Sequence, residues 1–183
     1  SRGMLFWRCF THWIGGMGVL VFVLALIPKS EGQDMFLMKA EVPGPVVGKL
    51  VSKVHMTARI LYGIYAFLTV IEIIFLLFGG MPLFDSIVHA FSTAGTGGYA
   101  IKNSSIAFYN SYYIDMVVTV FMLLFGINFN LYYLLLLKDF KQIFKSEELR
   151  WYILIIAVFT GIITVNTLDI YGNVSESFRY SIF

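Results

Sequence analysis

The sequence Ser92-Thr93-Ala94-Gly95-Thr96-Gly97-Gly98-Tyr99 decides how the chain is interpreted, because it interrupts an apolar polypeptide with three glycines in four positions. Each glycine inside a helix costs about 1 kcal/mol relative to alanine, so the stretch is predicted to be non-helical. Non-helical backbone is stable at membrane depth only where protein buries it or where it lines a water-filled cavity. The meaning of the stretch therefore depends on whether it lies inside a membrane.

The composition indicates a membrane protein. Of the 183 residues, 58% are hydrophobic and 13% are charged, whereas about 25% of the residues of a soluble domain are charged. A helix needs about 20 residues to cross the hydrocarbon core, and four apolar segments qualify, namely residues 10–27, 60–78, 112–137 and 151–168. Cys9 is the single cysteine, which excludes an internal disulfide and a cysteine-clustered metal site.

The basic residues predict the orientation of these four spans. Nine of the thirteen lie in or next to two alternate connections, those between the first and second spans and between the third and fourth: Lys29, Lys39, Lys49, Lys53, Arg59, Lys138, Lys141, Lys145 and Arg150. Because loops rich in lysine and arginine stay on the cytoplasmic side, both connections are predicted to be cytoplasmic. The glycine-rich stretch then faces the outside.

Residues 82–93 are predicted to form a half-helix that enters the membrane without crossing it. Twelve helical residues extend only about 18 Å at a rise of about 1.5 Å each, which is too short to span. Pro82 marks the start, and Asp85 in the first turn complements the positive end of the helix dipole. The negative end points at the glycine-rich stretch, an arrangement that suits a cation.

Small residues in this position indicate a backbone-carbonyl filter. A cation gives up its water only where protein oxygens replace it, as rings of carbonyls from four loops do in potassium channels, and glycine tolerates the backbone angles that this requires. A phosphate-binding loop is disfavoured, because such a loop precedes a helix and this one follows it. The predicted filter residues are Ala94, Gly95, Thr96, Gly97 and Gly98, a neutral set that suits a cation, and no organic cofactor is expected on this chain.

Three further residues, Asp85, Glu72 and Asn128, are candidates for supporting the pore. Glu72 is the only charge inside the second span, and an intramembrane carboxylate is a functional hypothesis by default; the alternative is a buried carboxyl satisfied by nearby donors. Asn128 and Asn130 point to different faces, so at most one faces a pore, and hydrogen bonding between helices is the other interpretation. His89 lies one turn after Asp85, and local pairing of the two is expected.

The order of the segments predicts a repeat. Residues 53–138 form one complete unit of span, half-helix, loop and span, and residues 1–28 form the closing helix of a preceding unit. Residues 29–52 form a cytoplasmic loop, and residues 139–183 hold a linker, an opening helix and the start of the next half-helix. Gly16-Met17-Gly18 aligns with Gly126-Ile127-Asn128, and Glu176-Ser177-Phe178 matches Asp85-Ser86-Ile87. We interpret the chain as a fragment of a longer protein.

The same motifs carry a family resemblance that covers almost the whole chain. The segment from His89 to Tyr99 resembles the second filter of the Trk/Ktr/HKT superfamily of potassium transporters, closest to the TrkH type. Three further stretches are similar to that family: Phe6-Trp7-Arg8 through Trp13-Ile14-Gly15-Gly16-Met17-Gly18, Gly79-Gly80-Met81-Pro82-Leu83-Phe84-Asp85, and Gly126-Ile127-Asn128-Phe129-Asn130-Leu131.

The resemblance implies an all-α integral membrane fold of repeated membrane-helix, pore-helix, membrane-helix units related to potassium channels. Four such units would share one polypeptide and one ion path, with Gly97 as the filter glycine common to all of them. The resemblance also implies potassium as the bound ion, at Gly95, Thr96 and Gly97. It also implies a bacterial or archaeal inner membrane, a homodimer and a cytoplasmic nucleotide-binding regulatory subunit; no nucleic-acid partner is expected. Two family features, a gating interruption in the closing helix of the third unit and a basic residue in the fourth, do not occur in this chain.

The sequence thus predicts potassium uptake across the plasma membrane through a channel-like pore. One alternative is a non-conducting structural or assembly subunit of the membrane, and another is a potassium/sodium transporter of the same superfamily. An intramembrane enzyme is not expected, because the spans hold no Ser/His/Asp, paired-Asp or HExxH arrangement.

Overall fold

The computed structural model describes residues 2–19 and 54–182, and all regular structure in these two ranges is helical, in agreement with the predicted all-α class. The predicted cytoplasmic loop at 29–52 lies outside the described residues. The described α-helices are α1 (Arg2–Gly16), α2 (Val54–Phe78), α3 (Leu83–Ala94), α4 (Tyr112–Gly126), α5 (Phe129–Leu136), α6 (Phe140–Lys145), α7 (Glu147–Tyr171) and α8 (Val174–Ile182), with a short 3₁₀ helix at Ser105–Tyr109.

Two of the described helices are long and apolar enough to cross a membrane on their own. They are α2, over Met56–Phe78, and α7, over Glu147–Tyr171. Helices α4 and α5 form a third crossing if the bent pair is one span. The first predicted span is described only in part, because α1 ends at Gly16 and the chain from residue 20 onward belongs to the range that the structure leaves undescribed.

The prediction of one continuous helix over 112–137 is wrong. Helix α4 ends at Gly126, α5 begins two residues after Ile127, and the two helices meet at an angle of 87°. The side chain of Asn128 caps α5 by accepting a hydrogen bond from the backbone N–H of Asn130 at 3.0 Å. A glycine followed by a good capping residue allows the helix to stop here and start again in a new direction.

Tyrosine hydroxyls satisfy the carbonyl groups that this break releases. Tyr152 of α7 donates to the carbonyl oxygen of Leu123 at 3.0 Å, and Tyr132 of α5 donates to that of Leu124 at 2.7 Å. A Cβ atom on Gly126 would collide with the hydroxyl of Tyr152, so the contact requires glycine. Backbone groups freed inside a membrane need such partners, because lipid offers none.

The end of α1 is built in the same way. Tyr65 of α2 donates to the carbonyl oxygen of Trp13 at 2.8 Å, and Tyr62 donates to that of Ile14 at 2.9 Å. A Cβ atom on Gly16 would lie 2.5 Å from the hydroxyl of Tyr65. Each of the two aligned glycines, Gly16 and Gly126, therefore ends a helix. In both cases a tyrosine of the next long helix donates a hydrogen bond to a carbonyl oxygen in the last turn.

The half-helix α3 lies at the centre of the described structure. It packs against α1, α2 and α4, and seven of its twelve residues are buried. Helix α7 differs, because none of its 25 residues is buried and apolar side chains are exposed along its length. This contrast places the short helix inside the protein and leaves the long one with an apolar surface that suits lipid or further protein.

Candidate functional site

The N-terminal end of α3 is fixed by polar contacts. Pro82 precedes the first turn with φ −57°, and the fully buried hydroxyl of Ser86 donates to the carbonyl oxygen of Pro82 at 3.1 Å. Asp85, in the first turn, accepts a hydrogen bond from the hydroxyl of Tyr109 at 2.5 Å. The half-helix is thereby tied to the segment that returns to the surface after the loop.

Asp85 accepts its hydrogen bond from Tyr109 and not from His89, so the expected hydrogen-bonded pair of Asp85 and His89 is not observed. Tyr109 contacts both residues instead. The His89 ring lies edge-on to the ring of Tyr109 with centroids 6.2 Å apart, and its Nε2 atom has no hydrogen-bond partner among the described residues. Burial, and secondarily the bond to Asp85, raise the pKa of Tyr109 above its ordinary value. The phenol therefore stays protonated and remains a donor.

The inner end of α3 closes in a Schellman motif. The N–H of Thr96 donates to the carbonyl oxygen of Thr93 at 3.0 Å, and the N–H of Gly97 donates to that of Ser92 at 2.8 Å. Thr96 occupies the left-handed position of the motif with φ 53°, where glycine is the usual residue. These bonds use carbonyl groups of the last helical turn, so the helix is capped before the loop begins.

The backbone φ angle changes sign between successive residues of the loop. Gly95 has φ −81°, Thr96 and Gly98 have φ 53° and 64°, and Gly97 between them is not among the residues with positive φ. A β-branched residue with positive φ is an outlier, and such strain concentrates at functional sites. Alternation of this kind is the backbone condition for turning successive carbonyls toward one axis.

The hydroxyl of Ser92 fixes the far end of the loop by accepting the N–H of Tyr99 at 2.7 Å. The Tyr99 ring is then held from the other side by α1. The guanidinium carbon of Arg8 lies 4.2 Å from the ring centroid, and the ring of His12 lies 4.9 Å away. A cation over an aromatic face is an attractive contact, so two residues of α1 hold the tyrosine that ends the glycine-rich stretch.

Helix α1 also touches the start of the loop, backbone against backbone. A Cβ atom on Gly16 would lie 2.8 Å from the Cα atom of Gly95 and 2.9 Å from the carbonyl oxygen of Ala94. A Cβ atom on Gly95 would lie 2.6 Å from the carbonyl oxygen of His12. Real Cβ contacts are longer than this, so both positions require glycine for close approach.

A cavity of about 380 Å³ lies between the loop, α3, the 3₁₀ helix and α4. Side chains without formal charge line it: His89, Ser92, Thr93, Thr96, Gly98, Tyr99, Ser105, Ile106, Val118 and Met122. Hydroxyl groups and loop backbone therefore border the same space. The part of the chain that the structure describes holds no cluster of three or more His, Cys, Asp or Glu residues able to bind a metal ion.

The structure does not bring all the predicted supporting residues to this loop. Glu72 in α2 is fully buried and interacts with the side chain of Thr93 in the last turn of α3, although neither carboxyl oxygen makes a hydrogen bond of normal geometry among the described residues. Both interpretations of Glu72 therefore stay open. Asn128 lies at the break between α4 and α5, where it donates to the carboxylate of Glu148 at 3.0 Å. Asp85 lies on the half-helix that leads into the glycine-rich loop, and Glu72 adjoins the last turn of that half-helix at Thr93.

Sequence reasoning missed several residues that hold the loop. Arg8 and His12 hold Tyr99 from α1, Tyr109 binds Asp85 at the start of α3, and Tyr65 fixes the end of α1 that contacts the loop. None of these four was a candidate. Tyr65 and Tyr109 carried the only available signal among these four, because a buried tyrosine usually has a polar partner for its hydroxyl.

These features define a class of protein. A half-helix buried among long apolar helices, followed by a capped non-helical loop with positive φ angles, is an arrangement found in α-helical membrane transport proteins. Half-helix termini and irregular backbone at membrane depth are the elements with which such proteins bind ions.

Comparison with known proteins identifies the group within this class. The chain belongs to the TrkH family of cation transport proteins, whose family model matches residues 1–174. The Trk system potassium uptake protein TrkH of Salmonella typhimurium is 36% identical over 154 residues, which are 83% of this chain and 32% of that protein. The Trk system potassium uptake protein TrkG of Escherichia coli K12 is 33% identical over an alignment of 188 positions, which covers 100% of this chain and 38% of that protein.

A solved structure agrees with the fold. The crystal structure of the potassium transporter TrkH from Vibrio parahaemolyticus superposes with a TM-score of 0.78 at 28% sequence identity, over 99% of this chain and 36% of that one. The chain thus spans about a third of the length of the relatives it matches. Family membership confirms a multi-pass membrane transport protein and not an enzyme; the unit boundaries and the roles of the filter residues stay predictions.

Proposed function

We propose that this chain forms part of the ion path of a potassium-uptake protein of a bacterial inner membrane. The observation that carries the proposal is the alternating backbone of Gly95–Gly98, which directly follows a buried half-helix. Two similar proteins are named as Trk system potassium uptake proteins. The remaining pore units of the polypeptide, a second copy and a cytoplasmic nucleotide-binding subunit are the partners that the family resemblance implies.

The chemistry of the site follows from its neutral composition. Carbonyl oxygens of Ala94–Gly98 replace part of the hydration shell of potassium. The C-terminal end of α3 acts on the ion like about half a negative elementary charge. An acidic side chain would hold the ion too strongly for rapid release, and none lines the cavity beside the loop. The ion therefore binds through dipoles that are fixed in place before it arrives.

A glycine substitution in the intact protein tests this proposal. Gly97→Ser is expected to weaken selectivity for potassium over sodium, because a Cβ atom at this position lies only 3.0 Å from Cδ2 of Tyr99 and displaces the ring or the loop. Selectivity is measured as the ratio of rubidium-86 to sodium-22 uptake in proteoliposomes, with rubidium as the tracer for potassium.

Gly63→Ser is the matched control, because a Cβ atom there meets nothing within 4 Å and the residue lies in the long helix α2. It is expected to keep the wild-type ratio. An unchanged ratio in Gly97→Ser would refute the filter assignment. Absence of any cation uptake by the reconstituted wild-type protein would instead favour a structural role in the membrane.

A further inference from the structure

One ion pair joins two parts of the chain that lie 64 residues apart. Arg179 of α8 donates from Nε to Oδ2 of Asp115 in α4 at 2.7 Å and from Nη2 to the same oxygen at 2.5 Å. Side-chain exposure is 17% for the arginine and 8% for the aspartate. Two bonds from one guanidinium at this burial fix the direction of approach as well as the distance.

Aromatic rings enclose the arginine on both helices. The guanidinium carbon lies 5.6 Å from the ring centroid of Tyr112, one turn before Asp115, and 5.2 Å from that of the adjacent Tyr180. Both distances allow attraction between the cation and the aromatic faces. The contact therefore has four members, two from the outer end of α4 and two from α8.

The partners belong to different predicted units. Asp115 lies in the first turn of α4, which closes the unit that contains the loop Gly95–Gly98. Arg179 lies in α8, whose Glu176-Ser177-Phe178 matches the first turn of α3 in the sequence. In both half-helices the matched serine is fully buried and donates to a backbone carbonyl, Ser86 to Pro82 and Ser177 to Thr167. The ion pair thus connects a finished unit with the half-helix of the next one.

We propose that Asp115 and Arg179 are a positioning pair that sets the height of the α8 half-helix relative to the preceding filter loop. The inference rests on the proposed function, because loops from several units must meet one ion at a common depth. A shift of one helical residue moves α8 by about 1.5 Å, enough to take carbonyls of neighbouring loops out of a shared ring. A partly buried ion pair of this kind is weak evidence for stability, and specifying a register is the best-attested use of such pairs.

The test uses neutral and exchanged variants of the intact protein in proteoliposomes. Asp115→Asn and Arg179→Gln are each expected to lower the ratio of rubidium-86 to sodium-22 uptake at least about fivefold, the lower end of couplings between separate sites. The exchanged protein, Asp115→Arg with Arg179→Asp, is expected to regain a ratio nearer the wild type than either single variant. Asp169→Asn, an exposed carboxylate on α7, is the control and keeps the wild-type ratio.

The uptake ratio separates positioning from general support of the fold. A purely structural pair lowers the amount of active protein, which reduces uptake of both ions together and leaves their ratio unchanged. Unchanged ratios in both single variants, or an exchanged protein no better than they are, would overturn the inference. A wild-type protein without selective uptake would refute the proposed function itself.

A milder variant keeps the test decisive if the neutral variants do not reach the membrane. Arg179→Lys retains the charge but loses the two-nitrogen contact. An intermediate uptake ratio is expected for it, whereas a wild-type ratio would overturn the inference.

Discussion

Gly16 is the residue whose substitution most directly tests the contact between α1 and the glycine-rich loop. In Gly16→Ala, the new methyl group would lie 2.5 Å from the hydroxyl of Tyr65, 2.8 Å from Cα of Gly95 and 2.9 Å from the carbonyl oxygen of Ala94. The tyrosine ring can move, but the two backbone atoms cannot move without carrying the loop with them. We therefore expect α1 and the loop to separate.

The neighbouring residue supplies the reference for the magnitude. A Cβ atom on Gly15 meets nothing within 4 Å, and both substitutions replace glycine by alanine in the same helix, where alanine is favoured by up to about 1 kcal/mol. Forcing a methyl group into a packed site costs about 1–3 kcal/mol. The difference in unfolding free energy between Gly16→Ala and Gly15→Ala is therefore expected to be about 1–3 kcal/mol, and each 1.4 kcal/mol of it corresponds to about tenfold in the population of the packed loop.

Two measurements on the purified intact protein test this expectation. In thermal unfolding in detergent, the melting temperature of Gly16→Ala should be lower than that of Gly15→Ala. The ratio of rubidium-86 to sodium-22 uptake should fall only in Gly16→Ala. If the two variants have the same melting temperature and the same uptake ratio, the close contact between α1 and the loop has no energetic role and the reasoning is refuted.

Glu72→Gln is expected to reach the membrane as abundantly as the wild type, because a neutral side chain of the same shape suits a fully buried site, whereas Glu72→Lys, which places a full charge in the same buried site, is expected to be lost. Fluorescence-detected size-exclusion chromatography of both variants measures this, and strong destabilisation by glutamine would contradict it. Tyr109→Phe removes the hydrogen bond to Asp85 and should cost about 1.5–3 kcal/mol. Because the folded-state pKa of Tyr109 is raised, its contribution is complete below the ordinary tyrosine pKa of about 10 and is lost only above that value. The difference in melting temperature between wild type and Tyr109→Phe should hence be constant between about pH 6 and 9, and a difference that narrows within that range would argue against the assignment.

Local signals made the half-helix predictable. The sequence predicts it over residues 82–93, and the structure places it at Leu83–Ala94. Pro82, Asp85 and the glycine run each act on backbone within a few residues of themselves, so their effect is readable without the tertiary structure. The long helices α2 and α7 were predictable for a related reason, since an uninterrupted apolar segment leaves few other structures available at membrane depth.

The break in the third span was not predicted, because hydropathy describes side chains and not backbone. The residues around Gly126 are apolar on both sides, so the average over a span remains high across the break. Gly126 and Asn128 carried the signal, as a helix-weakening residue followed by a capping residue. It becomes interpretable only when Tyr132 and Tyr152 are seen to satisfy the freed carbonyls.

Contacts between distant elements lay beyond sequence reasoning. Arg8 holds Tyr99 from a helix more than 90 positions earlier in the numbering, and Arg179 reaches Asp115 across 64 positions. No periodicity or spacing links such residues, because their proximity depends on how whole helices pack. The non-helical backbone of the loop could be predicted from its own residues, but the side chains that hold it in place could not.

The hydrogen bonds from tyrosine to carbonyl oxygens at the ends of α1 and α4 have a consequence for how the predicted repeat units diverge. Each of these bonds joins a phenol to a main-chain carbonyl oxygen beside a glycine. Every residue carries such a carbonyl, so the side chain at the accepting position is free to change, as Trp13 and Leu123 illustrate. Helices joined in this way can change nearly all of their side chains and still meet at the same places, so the predicted repeat units are able to lose internal sequence identity without losing their arrangement.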